Sequence, residues 1–369
     1  MSKRRKKKLN RRQQEIRRKR LKKRKRRRAI VIIIELIILC ILGTTAFALF
    51  KLGKMERTSL TNIKNNGLKQ TGYTNIALFG LDSRGKSLGK GNRTDTIMIA
   101  SINNETKKVK LISVYRDTML KQNGEHYDKA NAAYSVGGPE TAVNMLNENL
   151  DLDIQDYVSV NFLALADVID MVDGITVKMT DEEVVHMNNY CVETSKVTGK
   201  KYKKIEPAVA GTYKLNGVQA VSYARIRYTA GGDYKRTERQ RLVLEKTANK
   251  LKKQNLATIN KIIDKVMPEV STSFSTKEIL ALASGAFDFE LGETSGFPFD
   301  LETPDSVPGY SGSYVIPKGL EENVIKLHEF LFPDEDYTPT ETVTNISDTL
   351  INMTNVYPST TGSGTSQDE

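Results

Sequence analysis

Between Ser222 and Arg241 the chain reads "SYARIRYTAGGDYKRTERQR", with five arginines, Arg225, Arg227, Arg236, Arg239 and Arg241, beside only two acids, Asp233 and Glu238. Forked guanidinium donors match phosphate oxygens bidentately, so the stretch predicts an anionic ligand. Far upstream, Asp82 follows one apolar run and Asp95 starts the next, with a glycine-rich segment, 85–91, looping between them. Two carboxylates brought together by adjacent strands, without Cys or His, suit a hard cation such as Mg²⁺, which takes one or two carboxylates plus phosphates and water. A second reading stays open: Asp82 caps a turn and Asp95 pairs with Arg93. Arg93 stands two residues before Asp95 on the same strand face, and Arg116 follows the third strand in "VYRDT". Together with Arg225, Arg227 and Arg236 this is more guanidinium than two acids require, and a diphosphate is the expected anion. Arg239 and Arg241 are assigned instead to a solvent-facing helix, paired with Glu238 or Glu245.

Gly80–Ser87, "GLDSRGKS", formally matches a phosphate-binding loop, but such a loop must open a helix. Here "LGKGNRTDT" brings two more glycines and then a strand, which argues against it. His126, His186 and His328 lie scattered, so no zinc spacing exists. Cys40 and Cys191 fall in different segments, and no intrachain disulfide is expected.

The elements that must position these residues are α/β in class. Strands are expected at 73–81, 94–102 and 108–115, the last two joined by a turn at "NNETKK". A helix with Pro139 in its first turn follows, then "YVSVNF" as strand, "FLALADVIDMV" as helix and "GITVKM" as strand. Helices are also expected from Asn216, from Asp233, across 256–286 and at 318–332. Phe162, Leu165 and Ile169 in "FLALADVIDMV" share one helical face while Leu163, Ala166 and Val168 fill others. That helix is therefore either wholly core or apolar toward a ligand as well as toward the sheet. Residues 51–72 read as a stalk and 333–369 as a disordered tail, leaving 73–332 as the folded domain.

The formal net charge of +12 is uneven. Residues 1–28 hold 19 of the 56 Lys and Arg and one of the 44 acids, leaving 37 basic residues against 43 acidic ones elsewhere. Directly after comes "AIVIIIELIILCILGTTAFALF", 29–50, which at ~1.5 Å per residue spans roughly 33 Å, enough to cross a membrane. Glu35, near its cytoplasmic end, can snorkel. The positive-inside rule puts 1–28 in the cytoplasm and 51–369 outside, a single-pass type II anchor at the cell membrane. "AFA" at 46–48 offers a cleavage-site reading, against which the apolar run is long. The basic tail is explained by topology and lipid head groups; about 28 residues hold no helix-turn-helix, and no nucleic acid partner is expected.

"NIALFGLDSR", "NRTDTIMIASIN", "VYRDT", "NAAYSVGGPETAV", "YARIRY" and "GDYKRTERQ", in this order, resemble the LytR-CpsA-Psr family. The resemblance covers Asn75 to Arg241 and extends loosely to Lys318 through "VPGYSGSYVIPK"; one departure is Tyr115, where proline is usual before Arg116. It implies a central mixed sheet flanked by helices, with an apolar pocket for a polyprenyl diphosphate lipid and Mg²⁺ at its head group. It further implies transfer of an anionic glycopolymer, of teichoic acid or capsular type, from that carrier to muramic acid of peptidoglycan. Carried over by motif, Asp82 and Asp95 hold the metal, and with Arg116 they form the catalytic set. Arg93, Arg116, Arg225, Arg227 and Gln240 bind the diphosphate, with Arg236 completing the basic rim and Arg84 beside them. The competing expectation is a membrane-bound regulator or transcription attenuator without catalysis.

Overall fold

The computed structural model describes residues 56–82, 88–284 and 288–359. Residues 1–28 and 29–50, with Glu35 and Cys40, lie outside the described residues, as do Arg84 and residues 360–369. Among the described residues no helix is long and apolar enough to cross a membrane.

In chain order the strands are β1 (Glu56–Arg57), β2 (Tyr73–Leu81), β3 (Thr94–Asn103), β4 (Lys108–Val114), β5 (Met119–Lys121), β6 (Tyr127–Lys129), β7 (Ile154–Asn161), β8 (Ile175–Met179), β9 (Gly211–Leu215), β10 (Val270–Thr272), β11 (Glu290–Phe297), β12 (Leu301–Glu302) and β13 (Ile316–Pro317). The helices are α1 (Ala130–Leu150), α2 (Phe162–Met171), α3 (Asp181–Thr198), α4 (Gly217–Ala224), α5 (Gly232–Leu251), α6 (Leu256–Val266), α7 (Thr276–Ser284), α8 (Leu320–Leu331) and α9 (Glu341–Thr354). Seven strands make one mixed sheet in the order β1-β10-β7-β2-β3-β4-β11. β2 pairs antiparallel with β3 and parallel with β7.

The period-two alternation of β2 decides what each sheet face does. Ala77, Phe79 and Leu81 point into the largest core, where Ala142, Val143 and Leu146 of α1 and Val324 and Leu327 of α8 meet them. Ile76 and Leu78 point the other way, toward Phe274, Ile279 and Leu282. That second face is covered only in part by α7, and the remainder is roofed by α2, α4 and α5. β8 does not join the sheet; it pairs only with β9, over a separate core built with α3 and α4. α1 breaks at Gly138, whose φ of 77° lies in the left-handed region, and Pro139 opens the second half as the sequence anticipates.

Three expectations need correction. The segment 256–286 is not continuously helical: Val270–Thr272 leaves it to pair with β7. The stalk is not free from Glu56 onward. Thr61 N donates to Glu140 Oε2 at 2.7 Å and Lys64 N to Asn144 Oδ1 at 2.8 Å, while Leu60 and Ile63 pack on the main core. The tail expected to be disordered from 333 is folded through 359. Its polar composition conceals Val343, Ile346 and Leu350, which share one face of α9 and are at most 2% exposed. Buried Asp151 anchors this segment by accepting from Tyr337 Oη at 2.5 Å, Thr340 N at 2.9 Å and Thr340 Oγ1 at 2.7 Å. Leu350→Ala is therefore expected to lower unfolding stability by about 2–4 kcal/mol in denaturant titration; an unchanged midpoint would mean α9 is not part of the core.

Candidate functional site

Between the uncovered sheet face and the helices α2, α4 and α5 lies a cavity of about 610 Å³. One end is apolar: Leu78 and Met98 from the sheet, Val158 and Val160 from β7, Leu165 from α2, Val221 from α4, and Val243 and Leu244 from α5. The other end is lined by Asp82, Arg93, Asp95, Arg116, Arg225, Arg227, Arg236 and Gln240. All eight residues singled out in the sequence thus share one cavity, although more than 150 residues separate Asp82 from Gln240.

Local structure explains how they arrive. β2 and β3 run antiparallel, and Asp82 N donates to Arg93 O at 3.1 Å, so the two strand ends stay joined beyond Leu81. Gly80 pairs with Thr96 but Leu81 with Thr94, which makes Asp95 the extra residue of a bulge. A bulge re-aims its side chain, here into the cavity. Gly80 is required at that crossing, because a Cβ there would stand 2.8 Å from the Thr96 Cβ. Arg116 follows β4 after a single residue, Tyr115. The arginine turn after α4 enters α5 through Gly231 and Gly232, with φ of 89° and 47°, a double left-handed step that favours glycine.

The charges form a lattice. Arg116 NH1 meets Asp95 Oδ1 at 2.6 Å, and Arg227 NH2 approaches the same oxygen at 3.8 Å. Asp233, to which the sequence assigned no role, pairs with Arg236 at 2.9 Å, Arg227 at 3.6 Å and Arg116 at 3.9 Å. The Asp95 carbonyl accepts from Arg236 NH2 at 3.2 Å and Gln240 Nε2 at 3.5 Å. Arg225 is held separately by Glu193 Oε2 at 2.9 Å and Thr194 Oγ1 at 3.0 Å. The spacing of Asp233 and Arg236, one helical turn apart, is the signal that could have found Asp233.

Arg236 corrects an expectation: it is 1% exposed and forms the floor of the polar end, not its rim. Burial, together with Arg116 and Arg227, pushes its pKa down to about 10 against the pull of Asp233 and Asp95. Burial alone would raise the Asp95 pKa, but Arg116, Arg236 and Arg227 hold it below the ordinary carboxylate value. Nε and NH1 of Arg236 are buried without a hydrogen-bond partner, while Nε of Arg116 faces Asp117 Oδ2 at 3.4 Å. A buried donor left without a partner costs about 1–3 kcal/mol.

Arg239 is buried rather than solvent-facing, while Arg241 is half-buried and feels the charge of Glu238. Arg239 is 5% exposed and donates from Nε to Glu183 Oε1 at 2.9 Å, from NH1 to Ile226 O at 3.1 Å and from NH2 to Thr229 Oγ1 at 2.7 Å. It pins the arginine turn instead. Arg241 is buried enough to have its pKa pushed down and lies near Tyr115. The Tyr115 ring packs edge-on against Tyr234 at 4.8 Å, and Tyr115 N donates to Phe297 O at 2.9 Å, which sets the course of the loop carrying Arg116.

The apolar end also settles which faces of α2 are used. Phe162 and Leu165 line the cavity while Ile169 is fully buried against α3 and α4. Leu165→Asp is expected to leave the domain folded, since the side chain already borders open space, and to weaken binding of long-chain more than short-chain diphosphates by about tenfold or more in a titration. Equal losses for both chain lengths would remove Leu165 from the tail site.

A mixed α/β domain whose cavity pairs an apolar end with a cluster of arginines and aspartates defines a site for an anion joined to an apolar chain. The chain belongs to the LytR_cpsA_psr family, whose model matches residues 44–293. Over 254 residues it is 31% identical to Biofilm regulatory protein A of Streptococcus mutans, a match spanning 65% of this chain and 60% of that protein's length. It is 28% identical over 255 residues to the polyisoprenyl-teichoic acid--peptidoglycan teichoic acid transferase TagU of Enterococcus faecalis, covering 67% of this chain and 78% of that one. The fold matches the solved structure of Bacillus subtilis YwtF (TagT) with bound octaprenyl pyrophosphate lipid, at a TM-score of 0.53 and 21% identity, over 74% of this chain and 99% of that one.

Proposed function

We propose that this protein transfers an anionic glycopolymer, of teichoic acid or capsular polysaccharide type, from a polyprenyl diphosphate carrier to a muramic acid hydroxyl of peptidoglycan. The observation that carries the proposal is the cavity itself: a cluster of guanidinium groups at one end, apolar walls at the other. An inorganic anion would leave the apolar end unused, and a plain lipid would leave the cationic end unused. The names of TagU and of lipid-bound YwtF (TagT) support the same ligand class.

In the proposed reaction the hydroxyl oxygen bonds to the sugar-linked phosphorus, the bond to the bridging oxygen breaks, and polyprenyl monophosphate leaves while the hydroxyl proton is released. Arg116, Arg227 and Arg236 neutralise charge gathering on the phosphate oxygens, a preorganised arrangement because Asp95 and Asp233 already hold them. Arg225 and Arg93 widen the cationic surface for the second phosphate. The donor set fits a magnesium ion: Asp82 and Asp95 are hard oxygen ligands at the same end of the cavity. Among the described residues no group of three or more His, Cys, Asp or Glu could hold a metal alone. The proposed ion would thus be completed by phosphate oxygens and water, and when bound would add electrophilic polarisation of the diphosphate. Anchoring by 29–50, with the domain outside the cell membrane, completes the reading, since the carrier's diphosphate bond supplies the driving force without ATP.

The regulatory name of the Streptococcus mutans relative favours a second reading, in which the protein controls other processes without catalysis. One experiment separates the two. The full chain is incubated with labelled polyprenyl diphosphate-linked polymer and peptidoglycan, with and without chelator, beside a protein lacking residues 2–28. Label joined to peptidoglycan, lost in chelator and kept without the tail, is the expected result. No transfer by any form would overturn the enzymatic reading.

A further inference from the structure

Tyr228 is 71% exposed, the highest value among the large apolar side chains of the described residues. A solitary exposed tyrosine would need no explanation. This one ends a series of stacked groups. The Arg225 guanidinium lies over the Phe162 ring at 4.9 Å and over the Tyr190 ring at 5.6 Å. Tyr190 in turn stacks on Tyr228, with centroids 6.4 Å apart and planes at 27°, and Tyr228 flanks His186 at 6.1 Å and 37°. Phe162, Arg225 and Tyr190 line the cavity wall. The strip therefore runs from the polar end of the cavity out to the surface.

The turn that carries Tyr228 is fixed. Buried Arg239 donates to Ile226 O and to Thr229 Oγ1, one contact on each side of Tyr228 in the chain. Arg227, the preceding residue, is tied to Asp95 and Asp233. An exposed ring on a pinned turn loses little conformational freedom when a ligand covers it, which is how aromatic platforms gain affinity.

This inference rests on the polyprenyl diphosphate reading above. A diphosphate held by the arginines, with its tail in the apolar end, must send its other substituent outward past Arg227. That substituent is a sugar. A pyranose presents one face of C–H groups, electropositive at hydrogen, which packs on the negative face of an aromatic ring. We propose that Tyr228, backed by Tyr190 and His186, is a stacking platform for the first sugar of the diphosphate-linked glycan, and so discriminates a glycan-loaded carrier from the bare lipid diphosphate.

The test uses the full chain in detergent micelles, titrated with octaprenyl diphosphate and with octaprenyl diphosphate bearing one N-acetylglucosamine. Tyr228→Ala is expected to bind the bare lipid within twofold of the parent protein but the sugar-bearing lipid about five- to tenfold more weakly. Tyr228→Phe, which keeps the ring, is expected to retain the parent affinity for both. Equal losses for the two lipids, or none for either, would overturn the platform while leaving the diphosphate reading intact. Weakening confined to a soluble muramic acid glycan fragment would also overturn it, by assigning the ring to the acceptor. Failure of the parent protein to bind either lipid would overturn the diphosphate reading, and the platform with it.

Discussion

Asp95→Ala is expected to reduce glycopolymer transfer by about a thousandfold or more, with the domain still folded. The bulge aims this carboxylate into the cavity, where it holds Arg116 at 2.6 Å and Arg227 at 3.8 Å. Its side chain is only 15% exposed, so its loss leaves mutually repelling guanidinium groups with Asp233 and Asp117 as remaining counter-charges. Breaking one partner out of a largely buried pair costs about 3–5 kcal/mol, and part of that falls on the placement of the anion-binding donors. The same substitution removes half of the proposed carboxylate pair for Mg²⁺. Asp95→Asn separates charge from shape, and single-turnover rates with labelled donor decide: a folded Asn variant working at the parent rate would mean the charge plays no part. The pH dependence follows from the lowered pKa of Asp95. The unfolded chain takes up the proton first as pH falls, so the stability this group confers is complete above its ordinary value of roughly 4 and disappears below it. Stability that fell instead across neutral pH would have another source.

Arg236→Met is expected to weaken diphosphate binding by about two orders of magnitude or more. NH2 of Arg236 is occupied by Asp233 and the Asp95 carbonyl, but Nε and NH1 are buried without partners. Charge-assisted hydrogen bonds contribute about 1.5–3 kcal/mol each, and Arg236 lines the polar end of the cavity together with Arg116 and Arg227. With a folded pKa of about 10, Arg236 remains charged at neutral pH. Burial makes that charge costly, and an anion bound beside it offsets the cost. Inorganic pyrophosphate is therefore expected to raise the melting temperature of the parent protein, by about 2.7 kcal/mol of stability at a hundred times Kd, and to leave Arg236→Met unmoved. Removing Arg236 breaks its pair with Asp233 and costs stability, but Asp233 keeps Arg227 at 3.6 Å and Arg116 at 3.9 Å as counter-charges, so the variant is expected to fold. An equal thermal shift in both proteins would show that Arg236 does not meet the anion.

Much of this protein is written locally. The strands at 73–81, 94–103 and 108–114 lie within one residue of where β-branched and aromatic runs place them. Each is a short apolar segment bounded by turn residues, and local composition suffices to specify it. The eight cavity residues were likewise identifiable from residue type and motif. The helix at Asp181–Thr198 was overlooked although its signal is local too: Thr180 and Glu183 form a reciprocal capping box.

Tertiary structure alone decided the rest, because the deciding partners are distant in the chain. Asp233 becomes the hub of the arginine lattice only once α5 lies across the end of β3. Arg236 and Arg239, indistinguishable by type from surface arginines, are buried because their turn of α5 packs against Asp95 on one side and Glu183 on the other. Polar residues after Phe332 read as disordered until Asp151, more than 180 positions earlier, accepts their hydrogen bonds and the main core covers α9. Which faces of α2 meet ligand and which meet core depends on where α4 and α5 rest on the sheet. Periodicity fixes which side chains share a face; burial, set by the packing of remote elements, fixes what that face is for.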